Sequence, residues 1–544
     1  ARLSVRVSAV VILPAGHPGA AAWIADLLEK NLKELRTKAA GFPLRPPKYE
    51  GLPEAALRQP ALMFIPGLAQ TVGLTDVPAA DRLGGVLTAR IARGETGSMT
   101  FALHPLQDLG ECAVKVEMDA GGGPDVRVRS VRHLAKRGFG DSSFRVLPWW
   151  LADCGSIALP KGITRQFWVN ATAATAGAAG KHAGVIVVTP AAGAAIRVPF
   201  EIEVLPFELE KPDFSFTFFG MPAESVGVFA EYGVTALNGG PPIRFKGFQP
   251  DGGAAFDFAR SDAFFAEAKK NGIDRMVLDY SGPGGIEGVG WKNVESFFQG
   301  EGAKLGISAD EAARRVFDAI EAHAREQGWP PLTINLVDEP LSAAISGQSA
   351  RAVEFVKKAA PWIKTCGYYS FRPAGDPLGN DRLFRLLDVT ITKGYDADTM
   401  RAAQEAGHGI ALYSLAKNRF VFGPLMYRHA RNGVLGYVQW HSSIIHGYQF
   451  LDLDGREPDD GVIMLTREGA RPTLDLERCR MGIQDFRYLQ TLASRAKAAG
   501  GKGEAAVARL EELLATIPMD TRDAPAGLDL DAFRREVADL ILSL

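Results

Sequence analysis

The sequence predicts a multidomain protein with an N-terminal β-sandwich, a central (β/α)8 TIM-like barrel and C-terminal helices. Short apolar strands follow one another without helices between residues 87 and 204. Eight apolar strands then alternate with amphipathic helices over residues 214–440, and three helical segments end the chain. Regular short strands are typical of a sandwich, whereas eight strand–helix repeats of this total length match a barrel.

Length and composition limit the classes of protein that fit. The chain has 544 residues, too many for a single core. Its net charge of −2 gives no electrostatic basis for binding nucleic acid or an anionic membrane, and we expect no membrane span, because no apolar run is long enough. The first residue is Ala rather than Met, so we expect a removed leader and a periplasmic or extracellular location.

Cysteine and histidine spacings give no metal-binding pattern. Cys112, Cys154, Cys366 and Cys479 lie far apart, so we expect neither a metal nor another cofactor. Cys112 and Cys154 share one predicted domain and could pair in an oxidising compartment, although buried free thiols are favoured. His441 is five residues from a second histidine at position 446 with no third ligand nearby, which favours ordinary polar roles.

The first two predicted domains come before any candidate for catalysis. Residues 1–75 form a small α/β unit with strands at 3–13 and 61–65 and a helix at 20–38. We expect no chemistry before about residue 208, because this part has no cluster of catalytic residue types. The sandwich covers residues 76–207, with strands predicted at 87–91, 98–103, 113–117, 126–131, 164–169, 184–189 and 196–204.

The barrel is predicted over residues 208–455 and a helical region over 456–544. An open doubly wound sheet is the alternative, but the first βα turn, Phe219-Gly220-Met221-Pro222, lacks the glycine-rich pattern of that fold. The C-terminal helices are predicted at 475–499, 504–516 and 530–542. The barrel strands are predicted at 214–219, 234–237, 275–280, 332–337, 365–371, 389–393, 409–415 and 434–440.

The fourth barrel strand ends in two adjacent carboxylates, Asp338 and Glu339, followed by Pro340. Proline should keep Glu339 extended and end the strand. Two carboxylates at the end of a buried strand are costly unless something uses or pairs them. A polar strand end that caps the next helix would also fit. The position favours catalysis, because catalytic groups gather at the carboxyl ends of barrel strands.

Other polar and aromatic residues follow the neighbouring strands and are predicted to bind substrate. Aromatic faces stack on sugar rings and polar groups fix the hydroxyls, so a sugar site is expected. Core packing is the alternative for the tyrosines, and an ion pair with Asp279 or Asp396 is the alternative for Lys393. The predicted substrate-binding residues are Asn238, Asp279, Tyr280, Tyr369, Lys393, Tyr395, Tyr413, Asn418 and Trp440.

Four motifs resemble glycoside hydrolase family 123 and its wider group, domain of unknown function 4091. They are PKGITRQFWV at residues 160–169, the Asp338-Glu339-Pro340 strand end, the turn at residues 418–420, and LERCRMGIQDFRYL at residues 476–489. The resemblance covers roughly residues 85–490. It implies a β-N-acetylgalactosaminidase-like activity with substrate-assisted retention.

The same resemblance implies roles for three residues. Asp338 would orient and polarise the 2-acetamido group of the sugar, Glu339 would be the general acid/base, and Trp440 would line the sugar pocket. The chain differs from relatives on strand seven, where residues 411–413 read Ala-Leu-Tyr in place of Trp-x-Tyr. On strand eight, Trp440 has no second tryptophan nearby.

The chemistry is consistent with the residues themselves. In substrate-assisted glycosidases the substrate amide replaces the enzyme nucleophile, and a neighbouring like charge favours the protonated form of a carboxyl group. Adjacent side chains in an ideal strand point to opposite faces, so both carboxylates can serve one pocket only if the strand end bulges or twists.

Two other functions stay open at this point. One is a glycosidase of the same fold with Asp279 as protein nucleophile. The other is a non-catalytic carbohydrate-binding envelope protein. The expected partner in each case is a carbohydrate, an oligosaccharide or glycoconjugate, and the sequence specifies neither the sugar nor an oligomeric state.

Overall fold

The structure is a computed structural model, and the chain forms two compact units. One unit contains Ala1–Leu209, Ile444–Met464 and Arg471–Leu474, and the other contains the rest. The predicted strand at 3–13 and most of the predicted helix at 20–38 lie outside the described residues, as does the histidine at position 446. The structure describes residues 25–26, 29–30, 46–119, 121–137, 144–281, 285–370, 376–445, 449–450 and 460–544.

The first unit contains two five-stranded sheets. Their strand orders are β1-β3-β8-β5-β6 and β2-β10-β9-β4-β7. A short helix, Glu54–Leu57, precedes them. The strands are β1 (Ala61–Phe64), β2 (Leu87–Arg93), β3 (Thr96–Pro105), β4 (Glu111–Met118), β5 (Asp125–Arg137), β6 (Phe144–Asp153), β7 (Ser156–Ala158), β8 (Arg165–Thr172), β9 (Gly180–Pro190) and β10 (Ile196–Glu208).

One hydrophobic core joins these two sheets into a sandwich. Phe101 of β3 stacks on Phe167 of β8 with ring centroids 4.6 Å apart, and both belong to the same buried cluster as Ile91 and Phe200 of the other sheet. All seven strands predicted for the sandwich are present. Alternation predicted them correctly because every second side chain of each strand enters this core.

Three strands of the sandwich differ from the prediction. Ala61–Phe64, assigned to a separate small unit, pairs antiparallel with β3 and is an edge strand of the sandwich. Strands β6 and β7 were not predicted. Pro148 interrupts the apolar pattern of β6, and a proline is tolerated there because β6 is an edge strand.

The second unit contains a seven-stranded parallel sheet of order β11-β19-β18-β17-β16-β15-β14. Seven of the eight strands predicted for the barrel are therefore present. They are β11 (Ser215–Phe218), β14 (Val277–Ser281), β15 (Leu332–Asp338), β16 (Lys364–Tyr368), β17 (Val389–Thr392), β18 (Gly409–Tyr413) and β19 (Val434–Gln439).

The eighth predicted strand, at residues 234–237, forms only an isolated bridge between Leu237 and Val277. Its backbone still donates to Phe216 of β11 and to Met276 beside β14. The hydroxyl of Thr235 accepts from the Phe216 N–H at 2.9 Å and donates to the Phe214 carbonyl at 2.6 Å. A side chain thus makes bonds that a regular strand would make with its backbone, so the described sheet has seven regular strands and residues 234–237 do not form a regular eighth.

Helices follow most strands of this sheet, and the three predicted C-terminal helices are present. Two hairpins, β12 (Arg244–Phe248) with β13 (Ala254–Asp257) and β20 (Ile463–Thr466) with β21 (Gly469–Pro472), complete the strands. In the part of the chain that the structure describes, no helix is both long and apolar enough to cross a membrane. The helices are Val226–Glu231, Ala259–Lys270, Val294–Leu305, Ala309–Gln327, Ala343–Ala359, Asp381–Leu386, Ala397–Ala406, Met426–Arg431, Leu474–Ala498, Glu504–Ala515 and Leu530–Ser543.

Two of the sequence motifs meet in a buried ionic network. Nε of Arg419, from the 418–420 turn, donates to the Asp485 carboxylate at 2.6 Å. Arg534 donates to the same carboxylate, and Arg419 also pairs with Asp531. The motif at residues 476–489 therefore joins the end of the sheet to the last helix, which is a structural role.

All four cysteines are buried free thiols. Cys112 lies within hydrogen-bonding distance of the Leu109 carbonyl oxygen and Cys154 within that of the Ser156 carbonyl oxygen. The possible Cys112–Cys154 disulfide is therefore not formed, and the favoured alternative of free thiols describes the structure.

Candidate functional site

The carboxylates Asp338 and Glu339, the carboxylate pair, lie at the carboxyl end of β15. Asp338 is the last residue of the strand. Glu339 has φ = 37°, in the left-handed region that residues other than glycine rarely adopt, and its N–H donates to the Tyr368 carbonyl at 2.7 Å. The prediction that Pro340 keeps Glu339 extended was wrong, because the chain turns one residue before the proline.

The turn at Glu339 removes the alternation that would send adjacent side chains to opposite faces of the sheet. Both carboxylates are exposed to solvent, and both lie within the electrostatic reach of Lys393. Backbone strain of this kind costs about 1–3 kcal/mol and clusters at functional sites. The strand end therefore has the twist that a shared pocket requires.

Lys393, which follows β17, forms an ion pair with the second carboxylate. Its Nζ lies 2.7 Å from Oε1 of Glu339 and 5.5 Å from the centroid of the Tyr413 ring. The ion-pair partner is thus Glu339, and not Asp279 or Asp396. Lys393 connects the carboxylate pair to the aromatic residues of the neighbouring strands.

The environment raises the pKa of Asp338 above its usual value. Although Asp338 has solvent-exposed surface, its carboxyl group is partly shielded from water, and this desolvation raises its pKa; the charge of Glu339 raises that pKa further, whereas Lys292 and Lys393 oppose both effects. Sequence reasoning missed Lys292, because it considered strand ends and Lys292 lies in the long connection after β14. The sequence signal that could have indicated Lys292 is its position directly after a tryptophan, Trp291. In the structure the Lys292 ammonium lies over the Trp291 ring.

Three rings at the ends of β11, β18 and β19 form an aromatic wall, made by Phe219, Tyr413 and Trp440. The Trp440 ring lies 4.8 Å from Phe219 and 6.5 Å from Tyr413, measured between centroids. Trp440 is only partly buried, so part of the residue remains accessible to solvent. Phe219 was not predicted, although its position at the end of the first strand could have indicated it.

A hydrogen-bonded pair lies next to this wall. Nδ2 of Asn238 donates to the Tyr368 hydroxyl at 2.7 Å, and its Oδ1 accepts from the Gly220 N–H at 3.3 Å. The Tyr368 ring packs against Tyr413 with centroids 4.8 Å apart. Asn238 is buried, so it holds Tyr368 in place rather than presenting a free amide.

Asp279 faces the same interior cluster. Burial is the main cause that raises the pKa of Tyr368 and of Cys366, and the Asp279 carboxylate adds to both. The pairing of β14 with β15 is irregular between Val277 and Tyr280, which changes the alternation of side chains there. Asp279 itself is only 1% exposed, so it lies beneath the surface that a substrate would reach.

Tyr280 and Tyr369 are not brought into this group. The Tyr280 hydroxyl donates to the Pro241 carbonyl at 3.0 Å and lies 3.2 Å from the Ser261 hydroxyl. The Tyr369 hydroxyl bonds to Thr390 at 2.7 Å. Each follows an inward-facing residue and therefore points to the other face of the sheet. The structure gives both tyrosines a packing role.

Asn418 and Tyr395 also lie apart from the carboxylate pair. Oδ1 of Asn418 accepts from the Val421 N–H at 2.8 Å, and its Nδ2 donates to the Arg522 carbonyl at 3.1 Å, so both ends of its amide are used. The Tyr395 ring lies 4.9 Å from the ring of His429. Tyr395 lines a small cavity next to Lys393.

The described residues contain no cluster of histidine, cysteine, aspartate and glutamate that could hold a metal ion. His441 is buried, and its ring lies 5.2 Å from that of Trp440.

Comparison with known proteins gives a similar fold. The structure is similar to that of a family 123 glycoside hydrolase from Clostridium perfringens studied for glycolipid glycan hydrolysis, with a TM-score of 0.62 and 13% identity over 89% of this chain and 97% of that chain. A likeness at this identity establishes a common fold: a multidomain arrangement of sheets and helices. No protein-family model and no curated protein sequence matches the chain.

Two further glycoside hydrolases are more distant in structure. A family 2 β-galacturonidase from Eisenbergiella tayi has a TM-score of 0.29 and 12% identity over 79% of this chain and 72% of its own. A family 10 xylanase from Thermobacillus composti has a TM-score of 0.28 and 15% identity over 50% of this chain and 97% of its own.

Proposed function

We propose that this protein is a retaining glycoside hydrolase that acts on 2-acetamido-2-deoxy-β-hexosides such as N-acetylgalactosaminides by substrate-assisted catalysis. One observation carries the proposal. Two adjacent, solvent-exposed carboxylates lie together at the carboxyl end of a parallel strand, because Glu339 adopts a left-handed backbone conformation. Substrate-assisted catalysis needs two such groups and no protein nucleophile.

The proposal includes the complete barrel. Residues 234–237 lie between β11 and β14 and share backbone hydrogen bonds with both. We infer that they close the seven-stranded sheet into a (β/α)8 barrel. Catalytic groups of such barrels lie at the carboxyl ends of the strands, which is where Asp338 and Glu339 are found.

In the first chemical step, the carbonyl oxygen of the substrate's 2-acetamido group attacks the anomeric carbon while the bond to the leaving oxygen breaks. Glu339 gives its proton to that oxygen, and Asp338 accepts a hydrogen bond from the amide N–H as positive charge develops there. An ionised acceptor makes this bond stronger than a neutral one, and the gain is largest in the transition state. In the second step the Glu339 carboxylate removes a proton from water, whose oxygen attacks the anomeric carbon while the bond from that carbon to the acetamido oxygen breaks, which re-forms the amide and restores the β-configuration.

The aromatic wall gives the sugar ring a place to stack. Trp440 is partly exposed and is held by Phe219 and Tyr413. Aromatic faces pack against the C–H face of a pyranose. The aromatic wall and the carboxylate pair together support an acetamido sugar as the substrate, rather than an N-acylated compound that is not a carbohydrate.

A screen of nitrophenyl glycosides that includes both 2-acetamido epimers tests the proposal. We expect turnover of a 2-acetamido β-hexoside and loss of that turnover in Glu339→Gln. If the enzyme instead hydrolyses sugars without the amide, and a covalent sugar can be trapped on Asp279, the mechanism uses a protein nucleophile and not the substrate amide. Binding of sugars without turnover of any of them would favour a carbohydrate-binding protein.

A further inference from the structure

A cavity of about 630 Å³ lies in the first unit, beside the end of β1. We call it the sandwich cavity. Its lining residues come from three segments, at 46–48, 64–66 and 70–82. All three segments belong to the first unit, whereas Asp338 and Glu339 belong to the second. The volume falls within the roughly 300–1,000 Å³ of pockets that bind small ligands.

Part of the lining of the sandwich cavity is apolar. Phe64 and Pro78 are buried, and Ile65 and Val77 are partly buried. Phe64 also packs in a small buried cluster with Val72, which holds the segment after β1 against the sandwich. Burial of apolar surface favours binding in proportion to the area removed from water, so the ligand of this cavity has an apolar body.

Hydrogen bonds from the sandwich fix the segment at residues 72–76 before any ligand binds. Nε2 of His133 donates to the Val72 carbonyl at 2.8 Å. The Thr164 N–H donates to the Leu74 carbonyl at 2.7 Å, and the Thr164 hydroxyl donates to the Asp76 carbonyl at 2.7 Å. A wall that is already in place lowers the entropic cost of binding.

The segment at residues 46–48 is fixed through the buried side chain of His104. The Thr164 hydroxyl, which donates to Asp76, accepts from Nδ1 of His104 at 2.8 Å. Burial lowers the pKa of His104, so the ring is neutral at neutral pH, and its Nε2 accepts from the Tyr49 hydroxyl at 2.9 Å. Since Lys48 precedes Tyr49, the same chain of bonds holds two walls of the cavity.

Three side chains of the lining offer hydrogen-bond donors that have no partner among the described residues. Lys48 and Arg82 are exposed, and neither side chain forms a hydrogen bond or an ion pair there. Oε1 of Gln70 accepts from a backbone N–H at 3.3 Å, which leaves the N–H groups of its amide. Asp76 is the one acidic residue among the described lining residues, and its carboxylate already accepts from a backbone N–H at 2.7 Å. The lining therefore has two cations and one anion.

We propose that the sandwich cavity binds a small monoanionic carboxylate with an apolar body, an aryl or alkyl acid. Arg82 and Lys48 donate to the carboxylate, and the body packs against Phe64, Ile65 and Val77. Bonds between ionised donors and acceptors are the strong ones, and a guanidinium matches the geometry of a carboxylate. A neutral sugar suits this lining less, because it would leave both cations without a counter-charge. The inference goes beyond the proposed function and does not rest on it.

Calorimetry on the full chain tests the inference with three probes that share one apolar body. They are naphthylacetate, its neutral amide naphthylacetamide, and the cationic naphthylethylamine. We expect naphthylacetate to bind at least about tenfold more tightly than the amide, because its bonds are charge-assisted, and the amine to bind most weakly. Added salt should reduce the difference between acid and amide, because it screens exposed cations. Equal binding of acid and amide, or no binding of naphthylacetate, would overturn the inference.

Three variants test where the acid binds. Arg82→Gln and Lys48→Gln each remove one cation that has no partner among the described residues, so Tm should not change. Each should narrow the difference in affinity between acid and amide, and the double variant should remove it. Ala79→Trp places a bulky side chain on the lining and should weaken binding of both ligands.

Lys115→Gln is the matched control, because it removes an exposed cation from β4, a strand of the other sheet that does not line the cavity. Both affinities should stay at their wild-type values in this variant. If Lys115→Gln weakens binding of the acid as much as Arg82→Gln does, or if Ala79→Trp binds it normally, the acid binds elsewhere and the inference is wrong.

Discussion

Nζ of Lys393 lies 2.7 Å from Oε1 of Glu339, and each of the two side chains is 47% exposed. An ion pair this exposed contributes only about 0–1 kcal/mol. A substrate can therefore displace Lys393 from the carboxylate at little cost. Under the proposed function, this paired carboxylate corresponds to Glu339 after it has given its proton to the leaving group.

Glu339→Gln should abolish most of the activity while keeping the fold. Loss of general acid–base catalysis typically lowers turnover by about 10²–10⁴, and losing an exposed ion pair has little effect on stability. Steady-state kinetics and thermal melting measure the two effects. Glu354→Gln is the control, since Glu354 forms an exposed ion pair with Arg382 at 2.5 Å. Turnover near the wild-type value in Glu339→Gln would disprove the assignment.

Asp338→Asn should lower kcat much more than it weakens binding. The amide of asparagine keeps the shape of the side chain but loses the charge that strengthens the bond to the substrate N–H in the transition state. Successive fluorination of the substrate's acetamido methyl group should lower the rate stepwise, because it makes the carbonyl a poorer nucleophile. A thiazoline analogue should bind far more tightly than the substrate. A rate indifferent to fluorination contradicts substrate assistance.

Lys393→Met and Lys292→Met should move the acid limb of the pH profile to higher pH. Asp338 must be ionised to polarise the amide, so activity falls as the pH falls through its pKa. Burial and Glu339 already raise that pKa, and the two lysines oppose them. Removing either cation raises the pKa further. Lys358→Met is the control: it breaks an exposed ion pair with Asp310 and should leave the acid limb of the pH profile unchanged. A shift of that limb to lower pH in Lys393→Met or Lys292→Met would contradict the prediction.

Trp440→Ala should weaken substrate binding more than it lowers Tm. Trp440 is partly buried, and its ring is the proposed stacking surface. Trp329 is the control residue, because it is also partly buried but lies elsewhere in the unit. Its Nε1 donates to Asp262 at 2.9 Å. Trp329→Ala should lower Tm without affecting binding. If Trp440→Ala instead melts far lower and binds normally, Trp440 is a packing residue.

Arg419→Met should destabilise the protein strongly without a direct effect on chemistry. Asp485, its partner, is 1% exposed and remains paired with Arg534, so the loss should approach but not reach the roughly 3–5 kcal/mol of a buried carboxylate left without any partner. Urea unfolding measures the loss. Arg431→Met breaks an exposed pair with Glu511 at 2.5 Å and should cost no more than about 1 kcal/mol. Equal losses in the two variants would mean that the buried network is not important for stability.

The strands and the carboxylate pair could be read from the sequence because their signals are local. Alternating apolar residues identified seven sandwich strands, and the apolar run that ends in Asp338, Glu339 and Pro340 marked β15. Helical periodicity likewise predicted the three C-terminal helices. Each of these patterns records which side of a single element is buried, and that information is contained within a few neighbouring residues.

Tertiary structure alone decided what surrounds the pair. The left-handed turn at Glu339, the irregular pairing near Asp279 and the outward direction of Tyr280 and Tyr369 depend on how neighbouring strands align. The ion pair of Glu339 with Lys393 and the charge of Lys292 near Asp338 join residues that are far apart in the chain. Composition and periodicity carry no information about such register or about which charges meet, because both are set by packing between elements. The sequence by itself therefore determined the elements and the position of the acidic strand end, and the fold determined which side chains act on it.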